Sequence, residues 1–94
     1  MNSSDKDSQK ENDLNVSPNP FRSNIQLAFT GDAKGKLLVS VIDITGKTIK
    51  QMEYMKTSAQ FLAEISLQGL PAGVYFLHAE LNRKLYMQKL VKIK

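Results

Sequence analysis

The stretch Gly69-Leu70-Pro71-Ala72-Gly73-Val74-Tyr75-Phe76-Leu77 decides the fold. Its first half ends one element and turns the chain. Pro71 has a fixed φ that suits the second position of a tight turn. Gly69 and Gly73 flank it and tolerate the positive φ that such turns need. Its second half launches a strand, because Val74 to Leu77 is branched and aromatic and packs well on a pleated surface. From Tyr75 the alternation runs on through Leu77, Ala79 and Leu81, the longest inward face in the chain.

Outward from this stretch the hydrophobic period stays at two and never becomes 3.6. Upstream, Phe61, Ala63, Ile65 and Leu67 alternate with Leu62, Glu64, Ser66 and Gln68. Leu37, Val39 and Val41 share one strand face, with Leu38, Ser40 and Ile42 on the other. Asp43-Ile44-Thr45-Gly46-Lys47 then reads as a hairpin turn, with Gly46 at the position of positive φ and the Asp43 side chain accepting from nearby backbone N–H groups. Thr48 to Met52 returns as its partner strand. Ile25, Leu27 and Phe29 mark a further half-buried strand, followed by a loop from Gly31 to Gly35. Leu14 and Val16 form a short first strand. In Ser17-Pro18-Asn19-Pro20 two prolines bar a central ladder. Downstream, Leu85-Tyr86-Met87 and Leu90 to Ile93 make the final strand. Lys89 falls on the face that holds Leu85, Met87, Val91 and Ile93, which predicts a bulge or twist near Gln88. About seven short strands with regular turn signals predict an all-β fold, an immunoglobulin-like antiparallel β-sandwich. With neither Cys nor Trp, the core signature of antibody domains is missing.

Ninety-four residues make one domain, and 41% apolar with 23% charged residues is ordinary for a globular one. The lack of Cys excludes disulfides and thiolate metal sites. No apolar stretch approaches the roughly 20 residues of a membrane-spanning helix. The start, Met1 to Asp7, is polar and lacks the apolar segment of a signal peptide, so the chain reads as a piece of a longer precursor. Residues 1–13 have no apolar side chain after Met1; they are expected to be a disordered or extended linker ahead of a domain at 14–94. They carry a net charge of −2 against +6 for residues 14–94, which gives the +4 of the whole. From residue 83 onward there are Arg83, Lys84, Lys89, Lys92 and Lys94 and no acid. Such a basic surface attracts nucleic acid, anionic glycolipid or an acidic protein groove, or simply keeps a β-domain soluble.

Residues that carry chemistry are sparse. His78 and Glu80 share a strand face but are too few for a zinc site, and a solvent-side histidine is the better reading. Asp32, Asp43, Glu53, Glu64 and Glu80 fall in separate elements, so no acid–base pair is implied. The Gly31–Gly35 loop lacks the phosphate-loop spacing. Tyr54, Tyr75, Phe76 and Tyr86 suggest a stacking platform, but Tyr75 belongs to the core. Nucleic-acid binding is not expected, because interleaved arginine is scarce. No cofactor, metal or catalytic residue emerges.

Three segments in order resemble the C-terminal sorting domain of the type IX secretion system, type A form. The first is Val16-Ser17-Pro18-Asn19-Pro20-Phe21, similar to the family's Pro-Asn-Pro motif followed by an aromatic. The second is Val39-Ser40-Val41-Ile42-Asp43-Ile44-Thr45-Gly46-Lys47, similar to its strand, Asp and Gly-Lys turn. The third is Leu67-Gln68-Gly69-Leu70-Pro71-Ala72-Gly73-Val74-Tyr75-Phe76, similar to its Leu-Pro-x-Gly-x-Tyr motif. A basic strand from Gln88 to Lys94 follows.

The resemblance implies a non-catalytic signal at the end of cargo exported by Bacteroidetes-type bacteria. Cargo reaches the periplasm by a signal peptide and crosses the outer membrane through the type IX machinery to the cell surface or medium. A sortase-like cysteine peptidase removes the domain, with a cut before or near Leu14, and cargo is often joined to an anionic lipopolysaccharide. The positions that carry recognition on this reading are Pro18, Asn19, Pro20, Asp43, Gly46, Lys47, Leu70, Pro71, Gly73, Tyr75, Lys89, Val91, Lys92 and Lys94. The final strand is expected at a sheet edge, where a partner strand can extend it. Oligomeric state stays open. Two other readings share the architecture: a carbohydrate-binding or adhesion module, which needs exposed coplanar aromatics among Tyr54, Phe76 and Tyr86, and a fibronectin-type spacer of a secreted enzyme.

Overall fold

The computed structural model describes residues 13–94. The linker expected at the N-terminus lies, apart from Asp13, outside the described residues. Seven strands follow one another: β1 Asp13–Ser17, β2 Asn24–Thr30, β3 Gly35–Asp43, β4 Thr48–Lys56, β5 Gln60–Ser66, β6 Gly73–Leu81 and β7 Lys84–Lys92. They pair antiparallel in two sheets, of order β1-β2-β5 and β4-β3-β6-β7. The expected immunoglobulin-like sandwich is therefore present.

Alternation sets which side chains meet between the sheets. Ile25, Leu27 and Phe29 of β2 face Leu37, Val39 and Val41 of β3 and Tyr75, Leu77, Ala79 and Leu81 of β6, all buried. Tyr86 of β7 packs edge-on against Phe29, with ring centroids 4.8 Å apart. Removing this apolar surface from water is the main stabilising term.

The registers fix two poles. Chain entry at Asp13 lies opposite Thr30, and Gly35 lies opposite Lys56, with the β6–β7 turn nearby. At this entry pole Lys56 is buried to 1% exposure. Its ammonium donates to the carbonyls of Gly31 at 2.8 Å, Ala33 at 2.7 Å and Ser58 at 2.8 Å. All three donors are used, which makes a buried charge tolerable and ties two loops together. Burial chiefly, then the Lys34 charge, lowers its pKa from the usual 10.5, against the pull of Asp32. The other pole gathers the β1–β2 connection, the β3–β4 turn, the β5–β6 turn and the end of β7.

Three local expectations are corrected. β7 has no bulge near Gln88: its pairing with β6 is continuous from Gly73–Lys92 to Leu81–Lys84. The inward face of β7 carries Tyr86 and Leu90, whereas Leu85 and Met87 are 56% and 60% exposed. Lys89 is thus simply an outward residue; apolar neighbours on the outer face disguised that. The irregularity occurs instead in β3 against β4, between Val41 and Ile42. Pro71 does not occupy the second position of the hydrogen-bonded turn. That turn spans Leu67 to Leu70, closed by Leu70 N–H to Leu67 O at 3.4 Å, with Gly69 at φ 91°. β4 also runs on to Lys56, past the expected end at Met52, since Met52 and Tyr54 continue to pack on the core.

Candidate functional site

The sequence-predicted recognition residues lie far apart in the chain but collect at one pole. Tyr75 is the hinge of the arrangement: it pairs with Asp43 on one side and with Leu90 on the other. It is 5% exposed, and its hydroxyl donates to the Pro71 carbonyl at 2.5 Å. A tyrosine near the start of this strand that bonds back to upstream backbone is a recurrent corner of immunoglobulin-like sandwiches. Leu70 packs partly buried against the core. Gly73 holds φ at 151°, so the Leu-Pro-x-Gly-x-Tyr segment shapes a backbone corner with little freely projecting side chain.

Next to it stands the β3–β4 turn. The Asp43 amide donates to Lys47 O and the Gly46 amide to Asp43 O, each at 3.0 Å. Asp43 Oδ1 accepts from the Thr45 hydroxyl at 2.6 Å, the Thr45 amide at 2.9 Å and the Lys47 amide at 3.0 Å. The Thr45 hydroxyl contributes most to holding its pKa below the usual 3.8; partial burial opposes, and the two amides and the Lys47 charge assist. Gly46 sits at φ 91° and Lys47 projects into solvent.

The Pro18-Asn19-Pro20 segment lies along the outer edge of β7. The Asn19 amide group acts as a short strand: Nδ2 donates to Lys89 O at 2.7 Å, and Oδ1 accepts from Val91 N–H at 3.0 Å. Phe21 continues the mimicry. Its N–H donates to Val91 O and its carbonyl accepts from Ile93 N–H, both at 2.9 Å, in a parallel bridge to Lys92. The Phe21 ring is 1% exposed, and Arg22 donates to Lys94 O. β7 is an edge strand, as expected, but this strap already occupies its terminal half. Pro18, Asn19, Pro20, Lys89 and Lys94 are exposed; Val91 and Lys92 are half-buried.

Phe21 and Arg22 take part in the strap but were not among the expected recognition positions. The signal for Phe21 was an aromatic following two prolines; nothing in the sequence marked Arg22. The pole is also strongly positive. Among the described residues Arg22, Lys47, Lys50, Lys89, Lys92 and Lys94 lie at the turns and strand ends of this pole, with Asp43 and Glu64 as the neighbouring acids.

Elsewhere the residues do not assemble into chemistry. His78 and Glu80 lie on the outer face of the four-stranded sheet. Among the described residues no group of three His, Cys, Asp or Glu side chains converges as a metal site. A shallow cleft of about 290 Å³ lies at the entry pole between Lys36, Leu38, Glu53, Glu80, Asn82 and Arg83, remote from the motifs. Tyr54 and Tyr86 pack against the core from within, while Phe76 is on the opposite face, so the three aromatics share no plane.

The model of the secretion system C-terminal sorting domain family matches residues 15–94. The chain belongs to that family. It is a C-terminal sorting signal of type IX secretion, which implies contact with the secretion machinery and cargo destined for secretion or the cell surface. Sorting domains of this family are generally non-catalytic. No curated protein matches the chain.

Proposed function

We propose that the motif pole is the surface by which the machinery reads this sorting domain, and that a sortase-like peptidase frees the cargo in the polar sequence ahead of the domain, which the chain enters at the opposite pole. Convergence carries this reading: Asn19, Asp43, Tyr75 and Val91 meet at one pole, while the chain enters at Asp13 at the other. Recognition at one end then leaves the connection to cargo accessible at the other. The boundary of the recognised unit is near residue 14, with residues 1–13 as the polar connection; anionic lipopolysaccharide is the acceptor for released cargo. The lysines at the pole steer an acidic partner and orient it more than they add raw affinity.

The test is a periplasm-targeted fluorescent protein fused ahead of residue 1 in a bacterium that owns the pathway. Surface or medium fluorescence is expected, together with a released reporter that has lost residues 14–94. Lys92→Ser with Lys94→Ser keeps every backbone contact of the strap and is expected to reduce export strongly. Undiminished export of that variant would remove the pole from consideration as the recognition surface.

A further inference from the structure

The outer faces of the two sheets differ sharply in composition. On the three-stranded sheet the outward residues are mostly polar, including Asn15, Gln26, Thr30 and Glu64, with Leu62 and Ala28 as a paired apolar exception. On the four-stranded sheet the outward residues include Ile42, Val74, Phe76, Leu85 and Met87. Register places Lys89 across from Phe76, which lies across from Ile42; Met87, the next outward residue along β7, lies across from His78, and Leu85 across from Glu80. Leu85 and Met87 are more than half exposed, contributing apolar surface that water covers at a cost.

The charge on this face has one sign at the motif end. Among the described residues Lys89 makes no ion pair; the one salt bridge, Lys36–Glu53 at 3.4 Å, is toward the entry pole. The carboxylate of Asp43 is turned into its own hairpin. The adjoining edge supplies a second, independent feature. Odd-numbered residues of β7 point their backbone groups away from β6, as the strap contacts of Lys89, Val91 and Ile93 demonstrate. Leu85 and Met87 share that parity, and among the described residues nothing hydrogen-bonds their outward N–H and C=O groups, although β1 passes close to β7. A polypeptide can satisfy those N–H and C=O groups, and an acyl chain cannot.

We propose that the outer face of the four-stranded sheet, with the unbonded backbone groups at Leu85–Met87, docks a protein of the export apparatus through an apolar, carboxylate-bearing extended segment. This inference rests on the sorting reading. The partner segment adds to β7 beyond the end of the strap, its apolar side chains cover Met87 and Phe76, and its carboxylate meets Lys89.

The test uses the whole chain behind the same periplasm-targeted reporter. Leu85→Thr with Met87→Thr, and separately Lys89→Glu, are compared with Leu62→Thr, an exposed leucine on the other sheet. Thermal transitions of the purified proteins verify folding. Each test variant is expected to lower export about tenfold or more, as loss of a central interface contact does, and the control by less than about twofold. Lys89 also belongs to the lysines of the motif pole, so a loss shown by Lys89→Glu alone counts for the pole and against the face; where the double variant melts early, Met87→Thr by itself decides the face. Parent-like export of folded test variants overturns the docking face while leaving the sorting role intact; failure of the parent itself to be exported overturns the sorting role. Flotation with phosphatidylglycerol vesicles is run alongside. Binding there that disappears in the Leu85→Thr, Met87→Thr protein overturns a protein partner in favour of a lipid surface.

Discussion

At the scale of single residues, two side chains hold the corners of the motif pole by different chemistry. The Tyr75 hydroxyl reaches the Pro71 carbonyl over 2.5 Å. Tyr75→Phe keeps the ring in the core and leaves that carbonyl unpaired. The expected loss is about 1 kcal/mol, read as a lower urea midpoint at unchanged slope. Asp43 works through charge. Its pKa is lowered in the folded state, so its carboxylate stabilises the fold above the usual 3.8 and that contribution is lost as pH falls through the lowered value. Asp43→Asn is therefore expected to melt earlier than the parent at pH 7 and to close the gap below pH 3.8, measured by thermal scans across that range. A constant gap at all pH values would show that hydrogen-bond geometry, and not ionisation, supplies the effect.

At the scale of elements, the strap and the lysine clamp are the two devices that no single strand contains. Asn19 stands in for a strand residue beside β7. Asn19→Ala is expected to speed hydrogen exchange of the Val91 amide about tenfold, with β6 amides unchanged, since a lost bond of roughly 1.4 kcal/mol acts locally at an edge. Equal acceleration throughout the four-stranded sheet would mean that the strap supports the whole sheet. Lys56→Met orphans three carbonyls at the entry pole. Its expected cost is about 3 kcal/mol, in a denaturant melt, because unsatisfied acceptors lose bonds to a charged donor. The two poles are thus secured independently, one by backbone mimicry and the other by a buried ammonium.

At the scale of the molecule, the odd number of antiparallel strands decides the layout. A chain that enters at one pole and makes seven passes emerges at the other. Attachment at residue 1 and attachment after residue 94 are therefore not equivalent. A fluorescent protein joined after Lys94 is expected to block export by covering the positive pole, whereas the same protein ahead of residue 1 permits it. Cell fractionation of the two fusions checks this, and equal export would separate the pole from recognition. The uneven field has the same consequence in solution: approach to an acidic partner is oriented and weakens as salt rises.

The strands themselves were legible in the sequence. Alternation of Ile25-Leu27-Phe29, Leu37-Val39-Val41 and Tyr75-Leu77-Ala79 fixes the buried faces, because side chains in a strand alternate whatever they pair with. The Asp43–Lys47 turn was equally readable, since its bonds span only a few residues. β7 was misread: on an outer face that is itself apolar, periodicity cannot say which side is inside. Sheet order, the meeting of Asn19 with Val91 and the three carbonyls around Lys56 were decided by tertiary structure alone. These contacts join residues far apart in the chain, and their energies exist only once the two sheets have closed on the core.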